Sequence, residues 1–390
     1  MIGALFWVSA GLVAYVYAGY PILITLAALM RHPRPWPEGP LPKVTLIVAA
    51  YNEQAVLAAK LSAILRLDYP RELLQIIVAG DGSNDSTADI ARRFSDRGVE
   101  LVHKPEREGK MAALDRAMTW ATGEIIVFSD ANNRFRPDAI RHLVAPFSAD
   151  RVGMTVGYKT AIGDSGLGFS EGAYWKYESH IRSMETRLGC TVGVNGEICS
   201  IRRNLLSPAP KGIITDDEWM AHSVIQAGYN VIFCPEAVSH EQISSSAAEE
   251  NERRSRIVAG RYQVYGRTNR RIPWNRPLVA WMLISHKLLR PLVPLGMIGA
   301  ALTSVLSVLI PADEGGLLAL AGGSGVAMLA AQLVFYGMAA AGPVLQPVFG
   351  RLAYVPRFLV DSNVAALRGL WRHLTGGQSA AWVRASRTPQ

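Results

Sequence analysis

Charge is what this chain lacks over long distances. Ile2–Met30, Leu292–Ile310 and Leu317–Leu345 contain no Asp, Glu, Lys or Arg, and an apolar run of about 20 residues spans a bilayer as a helix. These gaps weigh against a wholly soluble protein and predict at least three spans. Cysteine is scarce as well. Cys190, Cys199 and Cys234 have no metal-ligand spacing, so a disulfide framework and a zinc site are both disfavoured, and the thiols are expected reduced, buried and inert. There is no internal repeat and no low-complexity tract.

What is present is a basic chain of 390 residues, 40 Lys and Arg against 32 Asp and Glu, long enough for one large domain plus membrane segments. The first apolar run has no basic start and exceeds the about 7–15 residues of a signal core, so it reads as a retained anchor, residues 1–30. The stretch 31–42 is basic and proline-rich, a stiff linker at headgroup level. The connector Pro311–Gly316 carries no Lys or Arg, whereas 31–276 and the tail (Arg351, Arg357, Arg368, Arg372, Arg384, Arg387) carry many. That asymmetry places the large domain and the C-terminus in the cytoplasm. The remaining membrane segments are an interfacial helix at 277–291, spans at 292–310 and 317–345, and an amphipathic or membrane-associated segment at 351–390. No span holds an acidic, basic or histidine side chain at mid-depth, which argues against a transporter.

Between the first and second spans, short β-branched runs alternate with helical patterns. Val44–Ala50, Leu74–Ala79, Val99–Val102 and Glu124–Phe128 read as buried strands, and Gln54–Leu67, a segment through Phe94, and Lys110–Ala121 as helices. Such alternation predicts an α/β fold with a doubly wound, mainly parallel sheet, divided at about residue 150 into halves 43–150 and 151–276, the second less regular. Ligands bind beyond the carboxyl ends of the strands in these sheets. Asn52-Glu53, Asp81 and Asp130 each follow a strand and are expected to converge there.

Gly80-Asp81-Gly82-Ser83-Asn84-Asp85-Ser86-Thr87 has the composition of a turn and helix cap, and Asp81 also offers a carboxylate to the base or ribose of a nucleotide. Asp130-Ala131-Asn132 puts two oxygen-bearing side chains on one side of an extended segment, a pattern for a hard divalent cation that bridges phosphate to carboxylate. Asn132 is neutral and makes the clamp weaker. Gly109-Lys110 opens a helix and brings an ammonium and backbone amides toward a phosphate. Thr215-Asp216-Asp217-Glu218 precedes the helical pattern Trp219–Ala227; these acids serve as cap partners, or one is a general base. Arg253-Arg254-Ser255-Arg256, with Arg261 and Gln263, forms a basic stretch suited to a departing diphosphate or to lipid headgroups. His240 reads as structural.

In order and spacing these segments resemble the family-2 inverting glycosyltransferases of GT-A fold, in the membrane branch of cellulose, hyaluronan and poly-N-acetylglucosamine synthases. The resemblance covers about Val44 to Gln263. It implies that Ala50, Tyr51, Glu53, Asp81 and Ser83 hold the nucleotide, and that Lys110 and Arg256 serve the phosphates. It implies a metal, Mg²⁺ or Mn²⁺, at Asp130 and Asn132, where the second aspartate of the family's DxD is replaced. Val194-Asn195-Gly196-Glu197 resembles the acceptor segment, so Asn195, Gly196 and Asp216 are assigned to the acceptor, and Asp217 to the base of a single inverting displacement. The family's Gln-x-x-Arg-Trp is represented by Arg253-Arg254-Ser255-Arg256-Ile257, without the indole that caps an acceptor sugar.

The expected protein is thus an integral enzyme of a bacterial inner membrane with a cytoplasmic catalytic domain. It uses a nucleotide-sugar, most simply a UDP-sugar, to extend a lipid-linked or growing saccharide in cell-surface polysaccharide biosynthesis. Its other expected partners are membrane lipids and no nucleic acid. A processive synthase and a non-catalytic nucleotide-binding subunit are the competing readings.

Overall fold

In the computed structural model the described residues are 1–32, 35–37, 39–162, 166–210, 212–242, 247–267, 272–310, 320, 323–349 and 353–376. The connector at 311–316 and the tail arginines Arg351, Arg384 and Arg387 lie outside them. In chain order the elements are helix α1 (Ile2–Leu29), β1 (Val44–Ala50), α2 (Leu57–Ile64), β2 (Leu74–Asp81), α3 (Thr87–Arg92), β3 (Val99–Lys104) and α4 (Lys110–Met118). Then come β4 (Ile125–Asp130), β5 (Asn133–Phe135), α5 (Ala139–Val144), β6 (Val152–Ile162), α6 (Gly166–Arg187), β7 (Ile198–Arg202) and α7 (Asp216–Gln226). The chain continues with β8 (Asn230–Gln242), α8 (Ala247–Arg267), α9 (Pro277–Leu309), α10 (Gly323–Phe349) and α11 (Tyr354–Thr375).

Among the described residues the strands form one sheet of eight in the order β3-β2-β1-β4-β7-β6-β8-β5. β1 to β4 are mutually parallel, and β7 joins β4 antiparallel. Beyond it β6 is antiparallel to β7 and parallel to β8, and β5 closes the edge antiparallel to β8. The expected parallel, doubly wound sheet is therefore the first half, and the second half is mixed.

Alternation along the strands builds two cores. Leu46, Val48, Ile76, Val78 and Val127 pack with Leu57 and Leu61 of α2 on one face. Ile47, Ala49, Ile77, Ile126 and Phe128 face the other way and meet Leu114 and Ala117 of α4. This second core also contains Tyr20 and Ile24 of α1 and Val279, Met282 and Leu283 of α9, so two long apolar helices are packed onto the sheet itself. Gly123 explains how the chain enters β4. A Cβ there would lie 2.4 Å from the Thr45 nitrogen, so only glycine fits this approach.

Among the described residues three helices are long and apolar enough to cross a membrane: Ile2–Leu29, Pro277–Leu309 and Gly323–Gly342. The stretch 277–291, expected as a separate interfacial helix, runs through a π-helical turn at Leu283–Leu288 and a 3-10 turn into the apolar segment from Val293. His286, Lys287 and Arg290 thus belong to a 33-residue helical run. The three cysteines are buried and unpaired, as expected.

Candidate active site

The carboxyl ends of β1 and β2 are laced to each other. Asn52 adopts a left-handed φ of 54°, a conformation that asparagine tolerates because its short amide bonds locally. Its backbone N–H donates to Ser83 Oγ at 3.0 Å, and its Oδ1 accepts from the Asn84 N–H at 3.0 Å. Glu53 N–H donates to Thr87 Oγ1 at 2.7 Å. The Arg107 guanidinium sits 4.0 Å over the Tyr51 ring. Asp81, buried at the end of β2, accepts the N–H groups of Glu108 and Gly109 at 2.9 Å each. It thereby fixes the loop that delivers Lys110 to the start of α4.

Lys110 is the bridge between the halves. Its Nζ donates to Asp130 Oδ1 at 2.8 Å and lies 3.9 Å from Asp216 Oδ2. Burial disfavours the ammonium, but Asp130 and Asp216 outweigh it and hold the Lys110 pKa above its ordinary value. At Asp130 burial likewise opposes charge, and the neighbouring Lys110 ammonium reverses the balance and lowers the pKa.

Asp217 sits in the first turn of α7, with Thr215 at the N-cap. Its Oδ1 accepts the Glu218 N–H at 2.9 Å. Burial pushes its pKa up to about 6, helped by the like charges of Asp216 and Glu218. Gly196 packs directly against it: a Cβ on Gly196 would stand 3.3 Å from that of Asp217. Asn195 accepts from Arg182 Nη1 at 3.2 Å, while its Nδ2 makes no hydrogen bond among the described residues, leaving a buried donor. Glu218 is held down to about 2, against burial, by the Arg261 guanidinium and Lys287 ammonium. Nearby, Lys159 donates to Glu197 at 2.8 Å and to Glu241. Burial raises the Glu197 pKa to about 7, with the Glu241 charge adding to it.

A cavity of about 620 Å³ joins these groups. Lys110, Asp130, Asn195, Gly196, Asp216, Asp217 and Arg256 all line it. Ala50, Tyr51, Glu53, Asp81 and Ser83 lie outside its lining, at the strand ends. Asn132 also lies outside, its Nδ2 donating to Glu241 Oε1 at 2.8 Å. Arg256 makes no hydrogen bond or ion pair with a described residue, so its guanidinium is available to an anion. Arg253 is bound instead to Glu250, and Gln263 clips the loop before Thr215 through Ile214 N–H and Gly212 O. His240 bonds Thr160 at 2.6 Å, a structural role.

Among the described residues no three His, Cys, Asp or Glu side chains are grouped to hold a metal ion. Asp130 nonetheless fits a cation of the kind shared between one carboxylate and a diphosphate, since it is a carboxylate facing the cavity whose bond to Lys110 is made through Oδ1.

Sequence reading missed the far wall of the cavity. Tyr17 of α1, His286, Lys287 and Arg290 of α9, and Phe358, Leu359 and Asn363 of α11 line it. Arg254 donates to Ser362 of α11, its guanidinium 4.3 Å over Phe358, and Asn363 Nδ2 donates to Tyr17 Oη at 2.8 Å. The available signal was three ionisable residues, His286, Lys287 and Arg290, next to an apolar run.

Residues 45–206 match the family model described as glycosyl transferase family 2. A probable glycosyltransferase, YdaM, of Bacillus subtilis is 28% identical over 226 residues, covering 52% of this chain and 51% of that protein. A beta-monoglucosyldiacylglycerol synthase of Trichormus variabilis is 27% identical over 259 residues, 63% of this chain and 55% of that protein. The aligned part thus spans about half the length of these curated relatives. The mannosyltransferase PcManGT of Pyrobaculum calidifontis, solved with GDP-Man and Mn²⁺, superposes with a TM-score of 0.71 at 23% identity, covering 97% of this chain and 100% of that one. At that identity the likeness establishes the fold, the GT-A arrangement.

Proposed function

We propose that the chain transfers a sugar from a nucleotide-sugar to an acceptor hydroxyl with inversion, a reading supported by the match of residues 45–206 to the glycosyl transferase family 2 model and by the GT-A likeness. One observation carries this reading. A buried carboxylate with its pKa raised to about 6, Asp217, shares a cavity with the Lys110–Asp130 pair and the unpaired Arg256. That is a base beside a phosphate site.

Ala50, Tyr51, Glu53, Asp81 and Ser83 form the nucleotide platform at the ends of β1 and β2. Lys110 and Arg256 receive the diphosphate. Asn195 and Gly196, with Asp216, present the acceptor, and Asp217 takes its proton. The acceptor oxygen then forms a bond to the anomeric carbon as the bond from that carbon to the diphosphate breaks, its electron pair leaving on the phosphate oxygen. Asp130, with Asn132 once its amide leaves Glu241, would hold Mg²⁺ or Mn²⁺. Such a cation supplies charge neutralisation to the departing diphosphate.

The donor is a UDP-sugar in this reading, and the catalytic domain lies on the cytoplasmic side of a bacterial inner membrane. The acceptor is lipid-linked rather than a secreted polymer, a choice supported by a cavity whose far wall belongs to α1, α9 and α11. The test is release of nucleoside diphosphate by the purified protein in detergent, over UDP-, GDP- and dTDP-sugars with Mg²⁺ or Mn²⁺. Release from one donor, lost in Asp217→Asn while donor binding persists, supports the reading. Full release by that variant overturns the base assignment, and a radiolabelled sugar recovered as long water-soluble polymer overturns the lipid-linked acceptor.

A further inference from the structure

α9 is apolar enough to cross a membrane, yet His286, Lys287 and Arg290 all turn toward the catalytic domain. The π-helical turn Leu283–Leu288 adds a residue to the helical repeat there. His286 lies between two carboxylates, 2.8 Å from Glu185 and 3.2 Å from Glu178, and Arg290 pairs with Glu178. Those contacts join α9 to α6. Lys287 reaches elsewhere: its Nζ donates to Glu218 Oε1 at 3.2 Å, an oxygen that also accepts from Arg261 Nε at 2.9 Å. Lys287 and Glu218 are 4% and 5% exposed. A buried ammonium on an apolar helix is unfavourable unless paired, and leucine would anchor the helix as well.

Glu218 follows Asp217 directly, and its N–H donates to the Asp217 carboxylate at 2.9 Å. We propose that Lys287 is a positioning residue for Asp217: from within a membrane-crossing helix it clamps Glu218 and so fixes the turn from which the base faces the cavity. The inference rests on the reading of Asp217 given above. It makes the span part of the catalytic site rather than a tether.

The charged and titratable groups around Asp217 are Asp216 and Glu218 of α7, Lys110 of α4, Cys199 of β7, Arg256 and Arg261 of α8, and Lys287 of α9. Of the two cations on Glu218, Lys287 acts directly to lower the Asp217 pKa. Its removal therefore moves the pH at which the base loses its charge upward.

The experiment uses the full chain in lipid nanodiscs and the nucleotide-sugar that gives release in the donor panel. Initial rates from pH 5 to 9 are compared for the wild type, Lys287→Met, Lys287→Gln and Lys287→Arg. The expected result is an acid limb of kcat/KM shifted up by about 0.5–1 pH unit in the Met and Gln variants. The rate at pH 6 then falls about threefold to fivefold, the loss shrinks as pH rises, and arginine restores the limb. Gln keeps a hydrogen bond to Glu218 and loses only the charge, so it carries the test if the Met variant does not insert. A limb that stays in place, a loss equal at every pH, or a rise in donor KM alone overturns the proposal. Asp217→Asn in parallel separates the two ideas: undiminished release by that variant removes the base reading itself, whereas abolished release with an unmoved Lys287→Gln limb removes only the clamp.

Discussion

The parallel and the mixed halves of the sheet position the groups of the candidate site by different means. In the first half, parallel strands bring Asn52, Asp81 and Asp130 to one edge, and backbone N–H groups meet side chains at the loop ends. In the second half, the groups around Asp217 are held by buried ion pairs: Lys287 and Arg261 on Glu218, Lys159 on Glu197 and Glu241, Arg290 on Glu178. Where the acceptor is neutral, as at Ser83 Oγ, a backbone scaffold is insensitive to pH and loses one hydrogen bond at most when the side chain changes. An ion-paired scaffold responds to both, because losing one partner leaves a buried charge uncompensated.

The largest expected effect isolates the second half. Asp217→Asn lowers kcat by about 10²–10⁴-fold, the usual worth of a general base, with donor affinity measured by titration calorimetry nearly unchanged. Asp130→Asn does the reverse. It weakens Mn²⁺-dependent donor binding by about 10–100-fold, as expected for a lost charge-assisted contact, and Mn²⁺ binding followed by electron paramagnetic resonance falls with it.

The next test separates the halves by pH. The proposed base, Asp217, must be ionised to act, so kcat/KM is expected to fall about tenfold per unit as pH drops below about 6, while donor binding changes less over the same range. Stability responds with the opposite sign. The folded Asp217 pKa lies above its ordinary 3.8, so between about pH 6 and pH 4 the folded state binds more protons at this site, and its contribution to stability rises as pH falls. Asp217→Asn removes that dependence and raises the melting temperature at pH 7, by calorimetry.

Sterics probe the first half. Gly123→Ala places a Cβ 2.4 Å from the Thr45 nitrogen and costs about 1–3 kcal/mol in unfolding free energy, the usual overpacking range. The smallest effect belongs to neither scaffold: breaking the exposed Arg92–Asp89 pair changes stability by under about 1 kcal/mol.

Legibility in the sequence followed the same division. The strands read as Val44–Ala50, Leu74–Ala79, Val99–Val102 and Glu124–Phe128 are β1 to β4 within a few residues; β1, β2 and β4 were legible because a strand buried on both faces is a continuous apolar run, whereas β3, expected buried, is the partly exposed edge of the sheet. The ends of the helices were less legible. Gln54–Leu67 shortens to Leu57–Ile64 because residues 52–54 are tied to Ser83, Thr87 and Asp85 instead. In the second half, β6 pairs with β7 and β8 across stretches of some 45 to 80 residues, and local pattern carries no trace of such partners. Asp217 and Asn195 were singled out through their motifs, and both line the cavity. The contact of Glu218 with Lys287 and the α11 wall were not legible, since they exist only once distant helices meet.

The bond from Asn363 to Tyr17 joins residues 346 positions apart, and it gives assembly a timetable. A ribosome releases Tyr17 first and Asn363 only after α8 and α9 have emerged, so the far wall of the cavity stays open until α11 arrives. The sheet can assemble before that point, but the cavity closes only after it. A nascent chain stalled before α11 would present the ends of β1 and β2 without a finished room behind them.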